Sequence, residues 1–338
     1  MDLETFFTTV YVLVDDWYKQ AIAPHKPVQC GVKADMSDSE VLTLALAGQW
    51  RGSVPWDSER GVVRYVQTHA KHLFPKMLHR SAFNRRSRCL YGVLVRLQEA
   101  LAEDLETPDD IYECVDCQPL PAFSCGQAQR SQQHWLWTSQ RGYGGTQGSF
   151  YWGDKLLLSV SRSGAVTGWV IGAASINDRW LLEALLSLRA GSFQLLRPEP
   201  NRHAARRQRP TPPHEPIGPL SAAGKARSRP YLADRGFNGR QWVQHWQQHY
   251  QAQIISVPPT DTPEAWTWQE KRWLATHRQK IETAFSVLDQ VLGLKHLNAH
   301  SRWGQYARLA AKMAVYNLGL LINRTLGRPQ WALATLIT

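Results

Sequence analysis

The chain has 338 residues, room for two or three folded units, and 43% of them are hydrophobic, which excludes a disordered polymer. Its 39 Lys and Arg against 28 Asp and Glu give a net charge of +11, which favours a polyanionic partner, nucleic acid ahead of an anionic membrane. No apolar run reaches the ~18 residues of a membrane span: the best stretch, 309–322, is broken by Lys312 and Asn317, and Asp2, Glu4, Asp15 and Asp16 argue against a secretory leader, so no membrane partner and a cytoplasmic location are expected.

Residues 1–105 read as helical. Leu3, Phe6, Phe7, Val10, Leu13, Val14 and Trp17 recur at helical spacing. Ser37-Asp38-Ser39-Glu40 is a capping-box pattern that opens a second helix through Val41, Leu42, Leu44 and Leu46. A third helix is predicted from Glu59 toward Leu73 and a fourth from Ser81 to Leu101, the last with Arg80, Arg85, Arg86 and Arg88 at its leading end. Short helices with one arginine-rich end fit a helix-turn-helix type of DNA-binding module, with Arg85 and Arg86 as phosphate contacts. A plain helical bundle with a solvated basic face fits equally well.

From residue 110 the period changes. A strand is predicted over Ile111–Cys117, ended by Pro119 and Pro121, and a hairpin over Lys155–Val160 and Ala165–Ile171 around Arg162-Ser163-Gly164. An apolar helix follows over Asp178–Arg189. Residues 197–230 hold eight prolines, eight Lys or Arg and only two acids, a composition that cannot bury a core and predicts a flexible loop able to touch phosphates. Next come a strand over Pro230–Asp234, a helix over Gly239–Tyr250, a strand over Ala252–Val257, a long helix around Glu282, and a final helix from Trp303 to about Leu326. Strand, hairpin, helix, strand, helix, strand, helix is the order of an RNase H-like α/β fold, a mixed sheet with flanking helices, preceded here by an all-helical N-terminal domain. The expected domains are 1–105, helical and DNA-binding; 106–300, the sheet domain carrying loop 197–230; and 301–338, a helical segment packed on the sheet domain's core.

The five cysteines, at 30, 89, 114, 117 and 125, form no disulfide framework. Cys114-x-x-Cys117 with Cys125 and His134 could be a zinc set. Odd spacing within a strand, however, aims Cys114 and Cys117 at opposite faces, so buried free thiols are the simpler reading. None of the 15 tryptophans is singled out as a DNA contact, because most aromatic residues pack in cores.

Three acids carry the chemistry. In this topology the first strand is central and the strand after the first helix lies beside it, so Asp116 and Asp234 become neighbours, and a later helix can lean Glu282 over them. Hard divalent cations take oxygen ligands, and two Mg²⁺ ions ~3.5–4 Å apart can activate an attacking water or 3′-hydroxyl and stabilise the departing oxygen of a phosphodiester. Asp116, Asp234 and Glu282 are therefore the candidate metal ligands and catalytic residues, for Mg²⁺ with Mn²⁺ as a substitute. Arg278 and Lys280, on the same helix as Glu282, are candidate DNA contacts, as is Lys155. The bland alternatives are a buried strand acid for Asp116, a turn aspartate for Asp234 and an i, i+4 pair with Arg278 for Glu282, with Glu264, Glu270 and Asp289 nearby as competing third acids.

In sum these motifs resemble the DDE transposases of bacterial insertion sequences across nearly the whole chain. Met36-Ser37-Asp38-Ser39-Glu40-Val41-Leu42-Thr43-Leu44 and Ser81-Ala82-Phe83-Asn84-Arg85-Arg86 are similar to the helical domain of one such group. Val115-Asp116-Cys117-Gln118-Pro119-Leu120-Pro121, Gly153-Asp154-Lys155, Ser175-Ile176-Asn177-Asp178, Ala233-Asp234-Arg235-Gly236-Phe237 and Arg278-Gln279-Lys280-Ile281-Glu282-Thr283-Ala284-Phe285-Ser286 follow in the family's order. The resemblance implies Asp116, Asp234 and Glu282 as the triad, double-stranded DNA (element ends and target) as the partner, and a homodimer on DNA. Leu157, Ala275 and Asp289 stand where many relatives have histidine, tyrosine and lysine; Lys280 and Lys295 are the available replacements for the lysine. A metal-dependent nuclease without strand transfer, and a non-catalytic DNA-binding relic of a transposase, remain as alternatives.

Overall fold

In the computed structural model, residues 1–26, 34–124, 140–144, 149–191, 221–222, 229–258, 265–299 and 301–338 are described. They fall into two compact units, Met1–Asp104 with Ser286–Thr338, and Leu105–Phe285. No helix among the described residues is long and apolar enough to cross a membrane.

Five helices open the first unit: α1 (Leu3–Ala21), α2 (Asp38–Ala47), α3 (Glu59–His69), α4 (Arg80–Cys89) and α5 (Tyr91–Asp104). The capping box forms as read, Ser37 accepting from the Glu40 amide at 3.1 Å while the Glu40 carboxylate accepts from the Ser37 amide at 2.6 Å. The single fourth helix expected from the sequence is two, because the amide of Leu90 turns back on the carbonyls of Arg86 and Arg88 and closes α4. Phe6, Val10, Leu42, Leu46, Trp50 and Phe83 are buried in this unit, with the Phe6 and Trp50 rings edge-on at 5.1 Å.

The C-terminal helix, α9 (Arg302–Thr325), belongs to this first unit, where it packs on α5 and α2, whereas residues 301–338 were expected over the core of the sheet. Its 302–325 stretch is buried almost all round from Leu309 to Leu320, which requires partners on several sides. α5 supplies one of them: Asn317 donates to the Gln98 carbonyl, and Arg324 to that of Asp104.

The second unit is built on a mixed sheet of β1 (Glu113–Ser124), β2 (Gln140–Gly144), β3 (Ser149–Ser161), β4 (Val166–Ala173), β5 (Ser221–Ala222), β6 (Tyr231–Leu232) and β7 (Ile254–Ile255). The order is β5-β4-β3-β1-β6-β7, with β2 added on β3; β3 runs antiparallel to both β1 and β4, and β6 and β7 run parallel to β1. A central first strand flanked on one side by its antiparallel hairpin and on the other by two parallel strands is an RNase H-like arrangement.

β1 does not end at the prolines but runs through Pro119 and Pro121 to Ser124. The amide of Glu113 points to the β6 side, where it meets the Pro230 carbonyl, and alternation aims the nitrogens of Pro119 and Pro121 the same way. There β6 has already stopped, so no ladder bond is lost, and β3 pairs the other edge without interruption to Pro121. A bulge follows between Pro121 and Phe123, and opposite it only glycine fits: a Cβ on Gly153 would lie 2.3 Å from the Leu120 carbonyl oxygen.

Three helices cover this sheet: α6 (Asp178–Arg189), α7 (Arg240–Tyr250) and α8 (Trp268–Gln290), whose last turn, from Ser286, counts with the first unit. Val115, Leu157, Val170 and Tyr231 pack with Leu181, Leu185 and Trp246 of α6 and α7 on one side. α8 lies on the other, the Cys114 thiol donating to the His277 carbonyl at 3.4 Å. Loop 197–230, apart from 221–222 and 229–230, lies outside the described residues, as do Cys125 and His134. Cys89, Cys114 and Cys117 are free thiols; burial pushes Cys114 up to about 12 and Cys117 well above its ordinary value, so neither is a ready thiolate ligand.

Candidate functional site

The site is generated by strand register. Glu113 pairs with Tyr231 and Cys114 with Leu232 between parallel β1 and β6, so Asp116 on β1 and Asp234, in extended backbone two residues past the end of β6, each follow the last ladder pair by two residues. Adjacent strands are ~4.8 Å apart, and equal register sends both side chains to one face. That is the face of α8, since Cys114 and Asp116 both meet it: Arg278 Nη2 donates to Asp116 Oδ2 at 3.0 Å.

The two aspartates are held differently. Asp116 Oδ1 accepts from the Cys117 amide at 2.8 Å. Asp234 caps the short 3₁₀ turn Arg235–Phe237, its Oδ1 accepting from the Gly236 amide at 2.8 Å. Burial pushes the Asp116 carboxyl up to about 6; Arg278 and the Cys117 amide oppose the rise, and the charges of Asp234 and Asp178 add to it.

Asp178, the first residue of α6, is the acid that sequence reasoning left out of the site. A Cβ on Gly236 would lie 3.0 Å from Asp234 Oδ1 and 3.6 Å from Asp178 Oδ2, so the two carboxylates flank one glycine. Lys155 Nζ bonds Asp178 Oδ1 at 2.7 Å and the Ile176 carbonyl at 2.9 Å. Arg179 Nε donates to the Gly236 carbonyl at 3.1 Å, which ties the start of α6 to the turn after Asp234. The Asn177-Asp178 helix start was a visible signal, but an acid in a first turn is ordinarily explained by the helix dipole.

Glu282 is exposed on α8, one turn beyond Arg278 and beside the fully buried Ile281. Among the described residues, no group of three or more His, Cys, Asp or Glu, whether with Glu282 or with Asp178, is arranged to hold a metal ion. Lys280, half-buried, lies close enough for its charge to act on the Cys114 thiol. Of the other sequence-predicted contacts, Lys155 is engaged by Asp178, Arg86 pairs with Asp38 at 2.6 Å and donates to the Met36 carbonyl, and Arg85 is exposed. Lys295 pairs with Asp289 at 2.7 Å.

The donor chemistry at Asp116 and Asp234 suits a hard divalent cation: carboxylate oxygen ligands, one of them partly buried, where a cation would favour its charged form.

Residues 209–318 match the family model described as a transposase DDE domain. The match covers 110 of the 338 residues and makes that stretch similar to a transposase DDE domain. The matched stretch contains Asp234, Arg278 and Glu282, while Asp116, on β1, lies ahead of it. No curated protein and no solved structure shows significant similarity to the chain. The function class that goes with the DDE domain is that of a transposase, an enzyme that acts on DNA and uses divalent metal.

Proposed function

We propose that the protein binds the terminal inverted repeats of a bacterial insertion sequence, cleaves the phosphodiester there, and joins the freed 3′-hydroxyl to target DNA. The observation that carries this reading is that Asp116 and Asp234 each stand two residues past the last pair of the parallel β1–β6 ladder, with the DDE match including the second of them.

Asp116, Asp234 and Glu282 would hold divalent cations, Mg²⁺ first and Mn²⁺ as a substitute. When bound, such ions supply charge neutralisation at the phosphoryl oxygens and acidify the attacking water or 3′-hydroxyl. Asp116 and Asp234 provide the fixed floor, Asp116 set by the backbone of β1 and Asp234 by its cap on the Gly236 amide. Arg278 holds Asp116 in place and, sharing its helix face with Glu282, offers a guanidinium to the scissile phosphate. In hydrolysis the water oxygen bonds phosphorus as the P–O3′ bond breaks and the 3′-oxygen leaves with a proton; in joining, that 3′-hydroxyl attacks a target phosphate in the same sense. Lys280 and the exposed Arg85 are further DNA contacts in this reading, loop 197–230 adds positive charge, and two copies bring the two ends together in the cytoplasm, at the nucleoid.

The test is cleavage of a duplex carrying the gene's own flanking sequence, comparing wild type with Asp234→Ala and Glu282→Ala. Mg²⁺-dependent cutting at the repeat ends, lost in both variants with binding retained, supports the reading. Binding without cutting by the wild type would leave a DNA-binding relic, and equal cutting by all three would place the chemistry elsewhere.

One observation favours a second assignment of the third acid. Asp178, not Glu282, shares Gly236 with Asp234 and acts electrostatically on Asp116. If Asp178→Asn abolishes cutting while Glu282→Gln retains it, Asp178 is the third acid and Lys155 its keeper.

A further inference from the structure

The first unit contains a cleft of about 400 Å³ lined by Arg51, Arg60, Arg80 and Arg308, with Glu59 as the one acid among its lining residues. Two of the arginines are fixed by the fold. Arg51 Nη1 donates to the Gly48 carbonyl at 2.7 Å and the Trp50 carbonyl at 2.6 Å, and its own amide to the Val291 carbonyl at 2.7 Å. Arg308 Nη1 donates to the carbonyls of Leu297 and Asn298, and its Nη2 reaches Glu59 at 3.3 Å. Asn298, at the rim, adopts φ +50°, a left-handed conformation that this asparagine tolerates.

The other two arginines differ. Arg60 and Arg80 are exposed and form no ion pair among the described residues. The cleft therefore combines two immobilised guanidinium groups with two free ones, against a single carboxylate that Arg308 and Asn84 already occupy. Like charge accumulates behind it as well. Burial pulls Arg51 below its ordinary value, Asp57 opposing this and Arg308 adding to it; burial holds Lys312 well below the lysine range, with Arg51 and Arg308 adding to the effect. Fixed donors in a concave setting with uncompensated positive charge suit an anion with two acceptor oxygens, such as the non-bridging pair of a phosphodiester.

We propose that this cleft is a binding site for the phosphodiester backbone of duplex DNA, reading no sequence but setting the position of the DNA on the first unit. The proposal rests on the DNA-acting function above, and it assigns the contact to Arg51, Arg60, Arg80 and Arg308 rather than to Arg86, which Asp38 holds. The two fixed arginines orient one phosphate, and the two mobile ones close over its neighbours.

The full chain is tested by fluorescence anisotropy with a labelled 30-base-pair duplex over a range of salt. Arg60→Ala/Arg80→Ala removes only exposed, unpaired side chains, so the fold is retained, as a thermal melt checks. Lys71→Ala/Arg96→Ala removes the same charge from exposed positions that do not line the cleft. The cleft variant is expected to bind roughly 10-fold or more weakly at 0.1 M salt and to flatten the slope of log K against log [salt] by about 2, while the charge-matched variant changes far less. Equal losses in the two variants would reduce the effect to net charge and overturn the site. Wild-type protein that binds no duplex would overturn the DNA-acting reading itself. If inorganic phosphate at matched ionic strength bound the wild-type cleft and displaced no DNA, the cleft would be a free-phosphate site and the proposal would fail.

Discussion

At the residue scale, Asp116 sits where its charge is least welcome. Burial is the chief cause; Arg278 and one backbone amide oppose it, and the charges of Asp234 and Asp178 add to it. Such an arrangement stores unfavourable electrostatics at a functional position. Asp116→Asn should therefore abolish cleavage, by roughly 10³-fold or more, yet leave the metal-free protein melting no lower than wild type at neutral pH. A melting temperature several degrees below wild type would mean that the Arg278 pair outweighs the cost of burying the charge. Much of this site could be read in the sequence, because Asp116 and Asp234 each end an apolar strand-like run and a two-residue ladder then fixes their register. Asp178 could not, since its place beside Asp234 depends on how the turn at Gly236 folds back toward α6. Glu282 is the opposite case: its helix was foreseen, but where that helix sets it relative to the aspartates is a matter of helix placement that periodicity does not carry.

At the element scale, α6 is pinned along its length by polar contacts that hydrophobic pattern does not reveal. Its first residue takes Lys155; its middle Glu183, fully buried, accepts from Trp246 at 2.9 Å and Tyr250 at 2.5 Å of α7; its last, Arg189, meets Glu113 of β1 at 2.9 Å. Glu113 also accepts from Ser159 and Thr167, so the buried pair is hydrogen-bonded as well as charged. Glu113→Gln would leave Arg189 charged in the core, and a loss of about 3–5 kcal/mol in urea unfolding is expected. A loss below about 1 kcal/mol would show that Tyr231 and Thr167 suffice to hold the guanidinium.

Asp38 plays the matching part among the N-terminal helices, accepting from Tyr18 of α1, from Lys26 and from Arg86 of α4, each at 2.6 Å. Burial alone would raise its carboxyl, but those donors hold it below its ordinary value. A depressed acid stabilises the fold above its unfolded pKa of about 3.9 and loses that contribution as pH falls through the folded value. The stability gap between wild type and Asp38→Asn should thus be constant from pH 8 to about 5 and shrink only below about pH 4. A gap that narrowed at neutral pH would implicate a different group. This hub is also why the arginine-rich end of α4 misleads on inspection: Arg85 is exposed and Arg86 is structural, though the two are adjacent in sequence.

At the scale of the whole molecule, the chain leaves its first unit at Asp104 and returns to it at Ser286. Nothing in local composition announces that return, because an apolar helix such as α9 would be equally at home on a sheet. What decides it is the nearly continuous burial of 309–320, which needs helices on more than one side and finds α5 and α2. The reading of residues 1–105 as a free-standing domain therefore omits part of its core. Leu309, Met313, Tyr316 and Leu320 are all fully buried, and without them the apolar faces of α5 and α2 would meet water. A fragment ending at residue 104 is expected to show no cooperative thermal transition, and supplying residues 286–338 as a separate peptide should restore both helicity by circular dichroism and a sharp melt. Cooperative folding of the fragment alone would mean that α9 is an accessory to the first unit rather than a part of its core. The same experiment bears on DNA binding: Arg308 reaches its cleft from α9, so the fragment should bind duplex weakly even where its helices form, and adding the peptide should recover the affinity along with the fold.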